Sequence, residues 1–236
     1  MYAPVCETSP PCRAWPRTNG RSASAAGRRQ LWPRLCVRLG STLEAVALSP
    51  QTLSLDDRRR VAAWAAGCAE QVLQIFETAA PLDTRVHDAI DLARRFASGE
   101  LAVGEAIRRR GGDAGGAARD APTPSAKAAA FAAEQAASCA HMGAHALGAA
   151  GYAAKALALA ADEDQRDDAV RSAVVRQLSA MDDAVANAVS SLPTLGVNTA
   201  GPLGPGRLTG GYVGKTIRAI QAALQTRSTS CSDRGV

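Results

Sequence analysis

The sequence predicts an all-α protein, with a single compact, bundle-like domain of about six helices that follows a disordered N-terminal tail. Alanine supplies 52 of the 236 residues, whereas Phe, Tyr and Trp occur three times each. This composition suits closely packed helices, because alanine has the highest helix propensity and strands favour β-branched and aromatic residues. Several stretches repeat apolar residues every three or four positions, and no stretch alternates as a half-buried strand would.

Residues 1–45 differ from the rest of the chain in charge and in pattern. They carry seven arginines and two glutamates, a net charge of +5, whereas the remaining residues carry 20 basic and 20 acidic side chains. They lack apolar periodicity and are rich in Pro, Arg, Ser and Gly, so we expect them to be disordered. Alternatively, the native protein begins near Val46 with a non-Met start codon, since no methionine occurs between Met1 and Met142. The neutral body argues against nucleic-acid binding.

Two amphipathic helices are predicted at the start of the domain. Ser54 has the residue type of a helix cap, and Asp57 follows three residues later as in a capping box. The first helix is therefore predicted to begin at Ser54 and to end before Pro81. Asp83 is expected to cap the second helix, which Gly99 interrupts.

The middle of the chain predicts a short helix, a loop and a long helix. The short helix covers residues 103–110. Glycines and prolines in 111–125 predict a loop. Ser125 is expected to cap a long alanine-rich helix that reaches about Ala161.

The C-terminal part holds the clearest helical pattern of the chain. Between Asp167 and about Leu192 the apolar residues are spaced 4-4-3-4-4-3, at Val170, Val174, Leu178, Met181, Val185, Val189 and Leu192. An irregular loop at 193–211 and a last short helix at about 213–225 follow. We assign residues 46–227 to the helical domain and 228–236 to a frayed tail.

The stretch SCAHMGAHALGAAGYAAK, residues 138–155, holds two of the three histidines. His141 and His145 are four residues apart, so on one helix their imidazoles would face the same side, a spacing that can hold zinc. The pattern HExxH is absent and no third ligand is visible, so we predict no metal and no cofactor. The alternative is a metal-binding or small-molecule helical enzyme built on both histidines, with Tyr152 and Lys155 nearby.

Glycines in the same stretch indicate close packing. Inside a helix each of Gly143, Gly148 and Gly151 costs about 1 kcal/mol relative to alanine. Close approach of a neighbouring helix would offset this cost. We therefore predict a tightly packed central helix, in which the following residues serve packing or face a partner: His141, His145, Gly148, Gly151, Tyr152 and Lys155.

Cysteine usage and hydropathy indicate the setting of the protein. The six cysteines form no CxxC pair, and a long helical chain of this kind favours a reduced, cytoplasmic location. No apolar run approaches the roughly 18 residues of a membrane span, so no membrane is expected. No Ser or Cys stands with a base and an acid in a recognisable pattern, so we predict no catalytic residues and no enzyme activity.

Three segments together resemble a known bacterial family. They are LSLDDRRRVAAWAAGCAEQVLQIFE, PLDTRVHDAIDLARRFASGELAVGEA and CAHMGAHALGAAGYAAKAL, in that order. The chain is similar to immunity proteins linked to polymorphic toxin systems and common in actinobacteria. The resemblance spans about 53–159 and implies a helical, cytoplasmic protein that neutralises a cognate toxin by binding it. A self-associating structural module is a further alternative, and the oligomeric state stays open.

Overall fold

Helical segments account for most of the chain that the computed structural model describes, which is residues 49–109 and 112–232. This part contains ten α-helices, one 3-10 turn at Glu163–Gln165 and no strand. The helices are α1 (Leu55–Glu70), α2 (Leu73–Ala79), α3 (Arg85–Ala97), α4 (Val103–Arg109), α5 (Gly112–Asp120), α6 (Pro124–Ser138), α7 (His145–Ala160), α8 (Arg166–Ser179), α9 (Asp183–Ser190) and α10 (Gly211–Ser232). The all-α prediction is confirmed.

Side-chain caps define several helix starts. The Ser54 hydroxyl accepts a hydrogen bond from the Asp57 amide at 3.1 Å, so the predicted start of α1 is correct. The N-cap of α3 is Thr84 rather than the expected Asp83, whose carboxylate accepts from the Arg85 amide at 3.1 Å from one position earlier. The cap of α6 is Thr123 rather than Ser125. Each of these contacts satisfies an amide that the first helical turn leaves without a partner.

α6 and α7 form an antiparallel pair at the centre of the domain. Phe131 packs on Tyr152 and Gln135 contacts His145, so residue numbers rise along one helix as they fall along the other. Most facing side chains are alanines with almost no exposed surface. Small side chains let two helix backbones approach closely, and the pair is therefore held by many short contacts.

α7 is surrounded by α1, α6, α8 and α10. A buried polar connection ties three of these helices together. The Trp64 indole donates to the Gln177 carbonyl at 2.9 Å, and the Gln177 side-chain amide donates to the Ala150 carbonyl at 3.0 Å. The position of α7 is thus set from several sides.

The number of helices exceeds the expected six because three predicted helices are each divided and one predicted loop is helical. The first predicted helix divides at Gln71–Val72, where Val72 leaves helical geometry with φ −121° and ψ 3°. The helix predicted from Asp167 divides where Asp182 caps α9 by accepting from the Val185 amide at 2.7 Å. In both places the apolar stripe continues across the break.

The long helix predicted for residues 125–161 divides at 139–144. The Gly143 amide donates to the Thr52 carbonyl at 3.1 Å, and the Ala144 amide donates to the Gln51 carbonyl at 3.0 Å. These amides bond to a distant segment instead of to the preceding turn of helix. A long-range contact therefore ends α6, and alanine content alone does not show it.

The loop predicted for 111–125 is wrong over most of its length, because residues 112–120 form α5. Its glycines permit close packing. A Cβ at Gly115 would lie 3.2 Å from the Glu134 carboxylate, and one at Gly116 would lie 2.9 Å from the Arg85 guanidinium. Buried contacts of the neighbouring Ala114, Ala117 and Ala118 offset the low helix propensity of glycine.

The predicted domain boundaries, 46 and 227, lie close to the first and last residues that the structure describes, 49 and 232. The predicted tail 1–45 lies outside them, and the assignment of 46–227 to the domain stays a prediction. The last helix, expected at 213–225, extends from Gly211 to Ser232 and so includes part of the segment expected to fray. Among the described helices, none combines the length and the apolar character that crossing a bilayer requires.

Candidate functional site

The two histidines of interest do not share a helix. His141 lies in the link between α6 and α7, whereas His145 is the first residue of α7. The expected geometry, with both imidazoles one turn apart on one helix face, is therefore wrong. Within residues 49–109 and 112–232, no three His, Cys, Asp or Glu side chains group so that they could hold a metal ion.

His145 is oriented by a glutamine on the facing helix. Its Nδ1 atom lies 2.9 Å from the Gln135 amide oxygen. Because an amide oxygen only accepts, Nδ1 carries the proton of this bond. Gly148 makes the arrangement possible, since a Cβ at this position would collide with the Gln135 amide. The glycine thus provides space for a polar side chain between two alanine-rich helices.

The other two glycines meet different neighbours. A Cβ at Gly151 would lie 2.7 Å from the Val213 methyl group and 3.2 Å from its carbonyl oxygen, so α10 crosses closely here. Gly143, in the link, faces the side chain of Leu53. The backbone of Leu53 has a φ of +64°, in the left-handed region. The three glycines thus face three different partners, Leu53, Gln135 and Val213, rather than a single neighbouring helix.

Buried glutamines hold the irregular segment 193–210 against the helices. The Leu203 amide donates to the Gln51 side-chain oxygen at 2.9 Å, and the Gln51 side-chain nitrogen donates to the Ala200 carbonyl. The Leu195 amide donates to the Gln221 side-chain oxygen at 3.1 Å, and the Gln221 nitrogen donates to the Pro193 carbonyl at 3.0 Å. This segment is irregular, as predicted, and these bonds fix its start and its middle.

A cleft of about 250 Å³ lies between this segment and the central helix pair. One wall comes from α6 and α7 and includes Glu134, Gln135, His145 and Tyr152. The other wall is the 201–208 part of the irregular segment, which contributes Arg207. His145 and Tyr152, both singled out from the sequence, therefore meet in one cleft.

Tyr152 is the most enclosed polar side chain of the cleft. Its ring centroid lies 5.1 Å from that of Phe131, and the Lys155 ammonium lies 6.0 Å from the Tyr152 ring centroid. Burial raises the pKa of Tyr152, with a smaller opposing effect of Arg207. The phenol therefore stays protonated at neutral pH and can donate or accept a hydrogen bond.

Glu134 and Arg207 place opposite charges at the cleft. Burial raises the pKa of the Glu134 carboxyl, while the positive charges of Arg207 and Arg119 lower it. Desolvation disfavours the carboxylate, and the two guanidinium groups compensate in part. The site thus combines a half-buried acid, a cation and a phenol.

The two described cysteine thiols contribute little reactivity. Cys68 and Cys139 are free and buried, and burial raises the pKa of both thiols. A thiolate is the reactive form, so neither side chain is poised as a nucleophile.

Glu134, Gln135 and Arg207 also line the cleft, although none of them was predicted as a site residue from the sequence. A signal for the first two exists, because they form the only charged or amide pair within the alanine-rich run FAAEQAAS. Polar side chains on an otherwise apolar helix are costly unless they find partners. Arg207 lies among prolines and glycines of an irregular segment, and nothing in the local pattern predicts its position at the cleft.

Most of the helical domain matches a known protein family. The family described as "Imm-5 like putative immunity protein" matches residues 51–184, more than half of the chain. The match includes α1 to α8 and the helical wall of the cleft, and it ends before the irregular segment. Comparisons with curated proteins and with solved structures gave no match.

Proposed function

Because the chain belongs to the Imm-5 like family, whose description is that of immunity proteins, we propose that it binds a cognate bacterial toxin and neutralises it without chemistry of its own. The family match carries this proposal. The protein would act in the cytoplasm, where it would protect the cell that makes the toxin. Its partner is a protein, and the complex excludes the toxin from its target.

The described domain supports such a role by its rigidity. A binder that keeps one shape loses little conformational entropy when it meets its partner. Here α7 is packed by four helices, and its alanine and glycine surfaces leave few side chains to rearrange. The irregular segment is also tied down, through Gln51 and Gln221.

A co-expression experiment tests the proposal. The chain is expressed with each toxin encoded next to its gene, and growth is compared with that of cells carrying the toxin alone. We expect growth to be restored by one such toxin, and the two proteins to elute together in size-exclusion chromatography. Absence of protection against every neighbouring toxin would contradict the proposal.

Titration of the purified proteins distinguishes binding from enzymatic neutralisation. A binder inhibits the toxin stoichiometrically, so residual toxin activity reaches its minimum at a fixed molar ratio that does not change with incubation time. An enzyme would inactivate an excess of toxin progressively. We expect the fixed ratio.

Exposed apolar side chains offer a way to find the toxin-binding face. Interfaces are commonly anchored by a few apolar or aromatic side chains near their centre. Leu82, at the turn between α2 and α3, is 96% exposed, whereas Val175 on α8 is 62% exposed and Val197 in the irregular segment is 73% exposed. Replacing each by serine, one at a time, should weaken protection only for the residue that the toxin covers.

A further inference from the structure

The cleft between α6, α7 and the 201–208 segment is lined by a tyrosine whose ring is buried and whose hydroxyl is accessible. Tyr152 is only 7% exposed, and its ring is fixed against Phe131. Its hydroxyl makes no hydrogen bond to a described residue, and it is not closed off from solvent as a fully buried polar atom would be. The hydroxyl can therefore donate a hydrogen bond to a molecule that enters the cleft.

Two opposite charges face the same cleft without pairing with each other. Glu134 comes from the helical wall and Arg207 from the irregular wall. They interact electrostatically, yet their charged atoms are farther apart than the 4.0 Å of an ion pair. The Glu134 carboxyl and the Arg207 guanidinium therefore line the same cleft, of about 250 Å³, with space between them.

We propose that this cleft binds a free α-amino acid in its zwitterionic form. The ligand carboxylate pairs with Arg207 and accepts a hydrogen bond from the Tyr152 hydroxyl, while the ligand ammonium pairs with Glu134. The ligand side chain lies along the ring of Phe131 and the neighbouring Leu208, which also line the cleft. The site is independent of toxin neutralisation, so either proposal can fail without the other.

The charge arrangement selects this ligand class over simpler ones. A plain carboxylate would leave Glu134 half-buried beside a second negative charge, and a plain amine would face Arg207 with like charge. A zwitterion of suitable length satisfies both groups at once. Charge-assisted hydrogen bonds of this kind are also the stronger ones in proteins.

Calorimetry on the purified chain, in the absence of any toxin, provides the test. The probes are L-alanine, L-leucine and L-phenylalanine, with leucinamide and 4-methylpentanoate as matched analogues that lack one charge each. We expect at least one amino acid to bind and to raise the melting temperature, as a ligand of the native state must. Each analogue should bind at least about tenfold more weakly, the loss expected for one charge-assisted contact.

Variants show whether the named side chains carry the binding. Arg207→Gln, Glu134→Gln and Tyr152→Phe should each weaken binding of the same amino acid, the first two by at least about tenfold. Arg119→Gln is the matched control, because Arg119 acts on Glu134 but does not line the cleft. It should bind like the unmodified chain, and melting temperatures without ligand show which variants are folded.

Three results would overturn the proposal. The first is that none of the three amino acids binds. The second is that leucinamide and 4-methylpentanoate bind as well as L-leucine. The third is that folded Arg207→Gln and Glu134→Gln proteins bind with unchanged affinity.

Discussion

The two walls of the cleft are built on opposite principles. The α6–α7 wall is positioned by the absence of side chains, because alanines and glycines let backbones approach until they touch. The other wall belongs to the irregular segment 193–210. This segment is positioned by long polar side chains from other parts of the chain, chiefly Gln51 and Gln221. Adding a group to the α6–α7 wall should therefore destabilise it. In the irregular segment, removing a hydrogen-bonding group should be destabilising.

The difference shows how a small number of residues can control an irregular segment. Close-packed helices distribute their stabilisation over many weak contacts, each on the order of 0.1–0.2 kcal/mol. The irregular segment concentrates it in a few buried hydrogen bonds, where an unpaired group costs about 1–3 kcal/mol. A substitution that adds atoms therefore tests the helical wall, and one that removes a hydrogen-bonding group tests the irregular segment.

The largest effect is expected from enlarging Gly151. A leucine at this position has no room, since even a Cβ would lie 2.7 Å from the Val213 methyl group and 3.2 Å from its carbonyl oxygen. Overpacking of this kind should lower the free energy of unfolding by about 3 kcal/mol. Urea denaturation of Gly151→Leu measures it.

Gly67 on α1 is the matched control for the helical wall. A Cβ there would meet no atom within 4 Å, so Gly67→Ala should gain helix propensity without a clash. We expect up to about 1 kcal/mol of stabilisation. If Gly151→Leu were as harmless as Gly67→Ala, close packing would not be what positions α7.

An intermediate effect is expected from Gln51→Met, which keeps the volume of the side chain and removes its amide. The Leu203 amide and the Ala200 carbonyl would then lose their partner in a buried place. The free energy of unfolding should fall by about 2 kcal/mol. Hydrogen exchange should accelerate at Leu203 and stay unchanged at amides in the middle of α7.

Gln177→Met provides the comparison for a glutamine that bonds to the helical wall from α8. Gln177 is also fully buried, but its side-chain oxygen has no hydrogen-bond partner and only its nitrogen bonds, to the Ala150 carbonyl. The substitution removes an unsatisfied atom together with one bond, so we expect a loss of about 1 kcal/mol or less. Equal losses in the two variants would remove the distinction between the walls.

The smallest effect concerns the electrostatic contact between the walls. Burial raises the pKa of Glu134 and Arg207 opposes this, so Arg207→Gln should raise the pKa further. NMR titration of the Glu134 carboxyl measures the change, and Arg119→Gln should shift it less, because Arg119 is the weaker of the two influences. A lowered or unchanged pKa in Arg207→Gln would show that the walls do not interact through these groups.

The sign of the pH dependence follows from the same shift. A carboxyl whose folded pKa is raised holds its proton more tightly in the folded state. Its contribution to stability is complete below the ordinary glutamate pKa of about 4.3 and is lost as the pH rises through the folded value. Glu134→Gln should remove this part of the pH dependence of the unfolding free energy.

Local signals in the sequence predicted much of the fold. The Ser54 cap, the apolar stripe from Val170 to Leu192 and the irregular nature of 193–210 are all present in the structure. Each depends on neighbouring residues only, through capping, periodicity or turn-forming composition. Tyr152 and His145 drew attention for the same reason, since both lie in one distinctive stretch, but the cleft that they line was not predicted.

The sequence by itself determined the helical class, the approximate positions of the helices and the crowded character of α7, because these follow from propensity, period and the cost of glycine. Only the tertiary structure decided where α6 ends, whether 112–120 is helical and which side chains meet His145. The Gly143 and Ala144 amides donate to the carbonyls of Thr52 and Gln51, about 90 positions away along the chain. Propensity is worth less than such a buried contact, so wherever the two disagree the contact prevails.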